Sequence, residues 1–164
     1  MKKKLYLSGF LAVVLATACG GPSTAEEYWQ RAESRLASRE YAAALQDLSR
    51  LVDKYPDSPI VPQTHFKIAD IYLNGTRELD LALAAFQVTA DLFPDLEYGV
   101  KSLFMVGFVQ ANYLQEHDLA REAYQTFLGR YPNHELVSSV TFELENLGKE
   151  VEDIEALKDI IDGQ

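Results

Sequence analysis

The stretch Ala82–Pro94, ALAAFQVTADLFP, decides the fold because two other segments repeat its pattern at a distance of 38 residues. In each copy a small residue is followed four positions later by a large apolar one, and an aromatic residue with a proline closes the unit. The matching residues are Ala44, Leu48, Tyr55 and Pro56 on the N-terminal side, and Ala120, Tyr124, Tyr131 and Pro132 on the C-terminal side. A fixed period of roughly 20 to 50 residues predicts an array of stacked supersecondary units.

Length, composition and charge bound the class of protein. The chain has 164 residues, of which 48% are hydrophobic, so it can form one ordinary domain with a sizeable core. Its formal net charge is −10, and losing Lys2, Lys3 and Lys4 with a cleaved leader would make it more negative. An acidic chain of this kind is not expected to bind nucleic acid or to be attracted to anionic lipid.

The first eighteen residues have the pattern of an export signal. Lys2 to Lys4 precede an apolar run from Leu5 to Ala16, and small residues then lead to Ala18. The run is shorter than the roughly twenty residues that a spanning helix needs. We therefore predict a signal peptide over 1–18 that is removed after export.

Cys19 follows directly and is the single cysteine of the chain, which excludes an internal disulfide framework. Residues 1–19 resemble a bacterial lipoprotein signal, in which this cysteine becomes the acylated first residue of the mature protein. Residues 19–25 then form a lipidated cysteine and a flexible tether. In that resemblance Gly20, where Asp would retain the protein in the inner membrane, implies the periplasmic face of the outer membrane. The alternative is ordinary cleavage at the same bond, which leaves a free thiol.

Apolar residues at spacings of three and four predict a helical hairpin for each copy of the pattern. Thr24 is expected to cap the first helix, and a proline to end each unit. Turns between the two helices are predicted at Ser38 to Glu40, Asn74 to Thr76, and Gln115 to Asp118. The three units cover about 26–58, 59–96 and 97–133.

These units resemble the tetratricopeptide repeat (TPR), a helical hairpin of about 34 residues with a small residue midway along each helix. Gly or Ala at those places lets the two backbones approach closely. The small residues are Ala32 and Ala44, Ala69 and Ala82, and Gly107 and Ala120. The resemblance implies an all-α fold, an α-solenoid of three TPR-like hairpins plus a C-terminal pair of capping helices.

Residues 134–164 are assigned to that capping pair, since the last unit of an array needs a cover. One helix is predicted from Leu136 to Leu147, with Phe142 among its apolar residues, and Gly148 ends it. A second, acidic helix is predicted from Glu150 to Ile161.

The sequence contains no P-loop, dinucleotide-binding glycine motif or H-E-x-x-H motif, so we predict no enzyme activity and no cofactor. His117, between Glu116 and Asp118, is interpreted as part of a solvated loop and not as a metal ligand, and no metal site is expected.

A protein-binding groove is the remaining candidate site. By the TPR resemblance, Trp29, Phe66 and Phe104 form a ladder of rings along one side of the array, with Phe108 next to it, and Glu33 and Asp70 flank it as an acidic rim. Such a surface suits an apolar or basic peptide segment. The same rings are equally consistent with inter-repeat core.

We therefore predict a lipid-anchored periplasmic adaptor that binds a protein or peptide partner. The signal, Tyr55-Pro-Asp-Ser-Pro59 and Phe66-x-Ile68-Ala69-x-x-Tyr72 resemble BamD-type lipoproteins of outer-membrane protein assembly and the periplasmic TPR protein of the Tol-Pal system. That resemblance implies a role in outer-membrane protein assembly or envelope maintenance. The alternative is a self-associating structural envelope protein. The sequence leaves the oligomeric state open.

Overall fold

The computed structural model describes residues 23–149, and within that range every regular element is helical. The α-helices are α1 Ala25–Ala37, α2 Tyr41–Lys54, α3 Val61–Asp70, α4 Leu79–Leu92, α5 Glu97–Asn112, α6 His117–Arg130 and α7 Val137–Glu145. A π-helical turn, Ile71–Thr76, continues α3. The all-α prediction is confirmed.

Successive helices pack as hairpins: α1 on α2, α3 on α4 and α5 on α6. The second helix of each hairpin also packs on the first helix of the next unit, so α2 contacts α3, α4 contacts α5 and α6 contacts α7. This is the α-solenoid that the 38-residue period predicts.

The small residues midway along the helices are where the backbones approach most closely. Ala32, Ala44, Ala69, Ala82 and Ala120 are fully buried. Gly107 is buried as well, and a Cβ added there would lie 2.5 Å from Cε1 of Tyr124. These positions confirm the prediction that each hairpin closes on a pair of small side chains.

Helix ends follow the local chemistry of the sequence. The Thr24 hydroxyl caps α1 by accepting a hydrogen bond from the N–H of Glu27 at 3.1 Å, as predicted. The second helices end two residues before their prolines, at Lys54, Leu92 and Arg130. A proline cannot donate the next backbone hydrogen bond, and it disfavours helix at the residue before it.

The turns inside the three hairpins share a feature that the sequence analysis missed. Arg39, Arg77 and Gln115 have φ values of 59°, 62° and 60°, and they are spaced by the same 38 residues as the repeats. This left-handed conformation is costly for residues other than Gly and Asn. Each is followed by a glutamate that precedes the second helix: Glu40, Glu78 and Glu116.

Two of the predicted turns are displaced. Asn74 to Thr76 lie in the π-helical turn, and the chain reverses one residue later at Arg77. Gly75 belongs there for a packing reason, because a Cβ on it would lie 2.8 Å from Cδ1 of Tyr41. In the third hairpin α6 already begins at His117, so His117 and Asp118 are helical and not part of a loop.

The first predicted capping helix is present as α7, where Val140 is buried and Leu144 and Leu147 pack against the core of the third hairpin. The helix ends at Glu145, before Gly148, which lies in a left-handed turn at φ 78°. Phe142 lies within this helix and is 36% exposed. The predicted helix from Glu150 to Ile161 lies outside the described residues.

None of the helices between residues 23 and 149 is both long enough and apolar enough to span a lipid bilayer.

Candidate functional site

The first helix of each hairpin carries an aromatic ring three residues before its small residue. These rings, Trp29 on α1, Phe66 on α3 and Phe104 on α5, are here called the aromatic row. Each is partly buried. The shared offset places them at equivalent points on their helices.

Trp29 packs against the two core clusters of the first hairpin. On its other side the Lys67 ammonium lies 5.9 Å from the centre of the indole ring, within the range of a cation–π interaction. The same ammonium is 3.7 Å from a carboxylate oxygen of Glu33. Lys67 therefore links α3 to both predicted groove residues of α1.

Phe66 connects neighbouring hairpins. Its ring meets Phe86 of α4 nearly edge-on, with centroids 5.3 Å apart, and lies 5.7 Å from the ring of Tyr98 on α5. Asp70, one turn along the helix, accepts a 2.7 Å hydrogen bond from the side-chain amide of Asn74. That carboxylate is thus engaged within its own helix.

The ring centroid of Phe104 lies 6.2 Å from that of Tyr124 and 6.0 Å from that of Phe108. The centroids of Phe108 and Tyr113 are 6.1 Å apart. The ring of Phe104 packs against the core of the third hairpin. Phe108 is one helical turn further along α5 and is also partly buried.

Each ring of the row therefore contacts the core and also keeps part of its surface exposed. Contacts from α3 reach the other two first helices, through Lys67 to Trp29 of α1 and through Phe66 to Tyr98 of α5. A role in partner binding stays a prediction for Trp29, Glu33, Phe66, Asp70, Phe104 and Phe108.

The charges beside the row are mixed, because basic side chains lie there as well as the predicted acidic rim. Lys67 lies against Trp29, and the Lys101 ammonium is 2.6 Å from Glu97. That hydrogen bond raises the pKa of Lys101 and lowers the pKa of Glu97. The mixed charge could have been predicted from the sequence, because Lys67 directly follows Phe66.

A buried ionic cluster inside the first hairpin was also missed. Asp47 on α2 is fully buried, and its carboxylate accepts hydrogen bonds from Arg31 Nε at 2.8 Å and forms an ion pair with Arg35 Nη1 at 2.7 Å. Arg35 also donates to the carbonyl of Ala43 at 2.7 Å. The signal was Asp47 itself, three residues after Ala44 on the apolar face of α2, opposite two arginines four residues apart.

Groups of three or more His, Cys, Asp or Glu side chains placed to hold a metal ion do not occur between residues 23 and 149. His117 begins α6, and a Cβ at Gly148 would lie 3.1 Å from its Nδ1, so the imidazole lies close to the C-terminal end of α7. Cys19, the predicted lipidation site, lies outside the described residues.

Comparison with known families gives matches on two of the three hairpins. Residues 28–58 and 101–134 match the tetratricopeptide repeat family, and they coincide with the first hairpin and with α5 and α6. These matches, together with the helical hairpins and their buried small residues, support a tetratricopeptide repeat protein. No curated protein matches the chain.

The TPR fold is typically a scaffold for protein–protein interaction, built as a stack whose extended surfaces bind other chains. The two matches therefore suggest a role in protein–protein interaction.

Proposed function

We propose that this protein is a lipid-anchored adaptor that binds a peptide segment of a partner protein along the aromatic row. The observation that carries the proposal is that three rings at equivalent helix positions stay partly exposed, although each also contacts core residues. Aromatic side chains contribute most of the binding energy in many protein interfaces, which supports a role for them here.

The charges beside the row favour a segment that combines apolar and polar side chains. Lys67 and Glu33 lie next to Trp29, and Lys101 and Glu97 lie near Tyr98. These exposed and half-exposed pairs contribute little to stability, so a partner can exchange them for its own charges at small cost. An amphipathic helix or an extended segment with alternating apolar residues meets these requirements.

The anchor and the location complete the proposal. The leader over 1–18, Cys19 and Gly20 support acylation and placement at the periplasmic face of the outer membrane. Lipid attached to Cys19 would confine the array to the membrane surface, where two or more acyl chains give stable anchoring. A role in outer-membrane protein assembly or envelope maintenance rests on the sequence resemblance alone.

Capture from detergent-solubilised cell envelope tests the binding surface. Wild-type protein is expected to retain a partner that Trp29→Ala/Phe66→Ala loses, while the matched control Val88→Ala/Leu92→Ala, which removes exposed apolar side chains from α4, retains it. Thermal unfolding followed by circular dichroism checks that the double variant is still folded. A folded double variant that keeps every partner would disprove the assignment of the groove.

The anchor has its own test. Cys19→Ala is expected to move the protein from the detergent phase to the aqueous phase in a phase-partition experiment. If wild-type protein partitions into the aqueous phase and mass spectrometry shows an unmodified thiol on Cys19, the protein is not lipid-anchored.

Self-association is the second candidate, and a feature of α4 favours it. Leu81, Val88 and Leu92 are each about half exposed and recur along one side of that helix. An exposed apolar patch is typical of an interaction surface. Light scattering over a concentration series separates the candidates, because a stable dimer that Val88→Glu converts to a monomer would support self-association through α4.

A further inference from the structure

A cavity of about 240 Å³ opens between α4 and α6, with α5 as its floor. Its apolar lining is formed by Ala90, Leu103, Val106, Leu119 and Ala123, and α4 and α6 also contribute polar side chains. Trp29, Phe66 and Phe104 are not among the lining residues. The cavity is therefore a separate site from the aromatic row.

The floor of the cavity contains an unsatisfied polar group. Gln110 on α5 is 9% exposed, and its Oε1 is buried without a hydrogen-bond partner among the described residues. A buried amide oxygen that lacks a donor costs free energy. This oxygen is not exposed to the cavity, so Gln110 lines the cavity with other atoms of its side chain.

Comparison of the three hairpins shows why this space is open. Gln110 is equivalent to Arg35 and Tyr72, since each lies three residues after the small residue of its helix. Their backbone carbonyls also accept equivalent hydrogen bonds, from the N–H groups of Glu40, Glu78 and Glu116. The equivalent positions on the second helices, three residues after the small residue, hold Asp47, Ala85 and Ala123.

The first two hairpins fill the position from within. In the first, Arg35 is paired with Asp47 at 2.7 Å. In the second, the ring of Tyr72 and the methyl group of Ala85 pack against one core cluster. In the third, Gln110 and Ala123 both line the cavity, and neither is large enough to fill it.

The charge of the walls selects the ligand. Asp91 and Glu122 contribute two carboxylates and Arg130 one guanidinium, so the cavity carries a net negative charge. Gln87, another lining residue, donates to Asp91 at 3.0 Å and so orients that carboxylate. A cationic group with N–H donors matches the carboxylates of the walls.

We propose that this cavity binds a single basic side chain, lysine or arginine, of a partner protein. The volume suits one long side chain and falls short of the roughly 300 Å³ at which small-molecule pockets begin. The aliphatic stem would lie along Leu103 and Val106 while the charged head donates to the carboxylates of Asp91 and Glu122, as basic side chains commonly do.

Nuclear magnetic resonance on the full chain tests the proposal with defined probes. N-acetyl-arginine amide and N-acetyl-lysine amide are expected to shift the side-chain amide signals of Gln110 in a saturable way at millimolar concentration. The neutral isostere N-acetyl-norleucine amide is the control. Equal shifts with the neutral probe, or no shift with either cationic probe, would refute the site.

Three variants, followed through the backbone amide signal of Ala123, complete the test. Gln110→Tyr copies the second hairpin, fills the cavity and is expected to abolish probe binding in a folded protein. Glu122→Gln is expected to weaken binding about two- to fivefold, because a partly exposed ion pair contributes modestly. The matched control Glu145→Gln, on α7 and outside the cavity, should leave probe binding unchanged. Unchanged binding in folded Gln110→Tyr would exclude this cavity as the binding site.

Discussion

The first and third hairpins have the same frame and different interiors. In the first hairpin, the first helix carries Ala32 and the second helix carries Leu48. In the third hairpin, Gly107 takes the place of Ala32, and Tyr124 takes the place of Leu48. The larger ring is accommodated because the glycine has no Cβ to meet it. The two hairpins therefore pack their helices closely with different pairs of residues.

The two hairpins also differ in how they treat a polar position facing the neighbouring helix. The first fills it with Asp47, Arg31 and Arg35, which satisfy one another. The third has Gln110 opposite Ala123 and leaves a cavity. The ion pair fills this position in the first hairpin, whereas the third hairpin keeps open space beside Gln110.

Removing both arginines gives the largest expected effect. Arg31→Met/Arg35→Met leaves the carboxylate of Asp47 fully buried without a cation, which we expect to lower the free energy of unfolding by about 3 kcal/mol. Urea unfolding followed by circular dichroism measures it. The triple variant that adds Asp47→Leu removes the charge as well and should recover most of the loss. If the double variant is as stable as wild type, Asp47 does not depend on these two arginines.

Gly107→Ala tests the exchange of volume between helices. The new Cβ would lie 2.5 Å from Cε1 of Tyr124, so the ring must move, and we expect a loss of about 2 kcal/mol. Adding Tyr124→Leu recreates the pairing of the first hairpin and should restore part of the stability. Ala32→Gly is the reciprocal control and should be milder, because it removes a methyl group without creating a clash.

Relieving the backbone of the third hairpin turn is expected to stabilise the protein. Gln115 has φ 60°, which glycine adopts without strain, so Gln115→Gly should raise the free energy of unfolding by about 1 kcal/mol. Arg39→Gly, at the equivalent turn of the first hairpin, should give a similar gain. Unfolding midpoints in urea compare the two, and a loss of stability in both variants would show that the side chains matter more than the backbone conformation.

The sequence predicted the frame of the fold because the period acts on residues that pack locally. Small residues separated by 38 positions place each hairpin, and a proline marks each end. The predicted turn at Asn74 to Thr76 was wrong. Asn and Gly usually mark a turn, but Gly75 is needed here because a side chain would clash with the ring of Tyr41. That requirement depends on contact between two hairpins, which local patterns do not contain.

The candidate site was less predictable for a related reason. Equivalent spacing placed Trp29, Phe66 and Phe104 on first helices, but the exposed part of each ring depends on the next helix, as the contact between Phe66 and Tyr98 shows. The cavity at Gln110 was not predicted at all. It arises where Gln110 and Ala123 leave space between α4 and α6, and the sequence shows only that Ala123 is small.

Tyr124→Phe gives the smallest expected change at neutral pH and the sharpest test of how the third hairpin fits its ring. The hydroxyl of Tyr124 is buried without a hydrogen-bond partner among residues 23–149, and Phe86 holds the equivalent place in the second hairpin. Removing the hydroxyl should raise the free energy of unfolding by about 0.5 kcal/mol. Urea unfolding at neutral pH measures this difference.

Alkaline pH should enlarge the difference between the two proteins. Burial, and to a lesser extent the charge of Glu143, raises the pKa of Tyr124 above its ordinary value of 10.0. Above that pH the unfolded chain releases the phenol proton while the folded protein retains it, so wild type loses stability as pH rises toward the folded pKa. Tyr124→Phe lacks this loss, and titration of the other tyrosines and the lysines largely cancels in the comparison. A difference that stays constant from pH 8 to pH 11 would show that the Tyr124 hydroxyl reaches solvent.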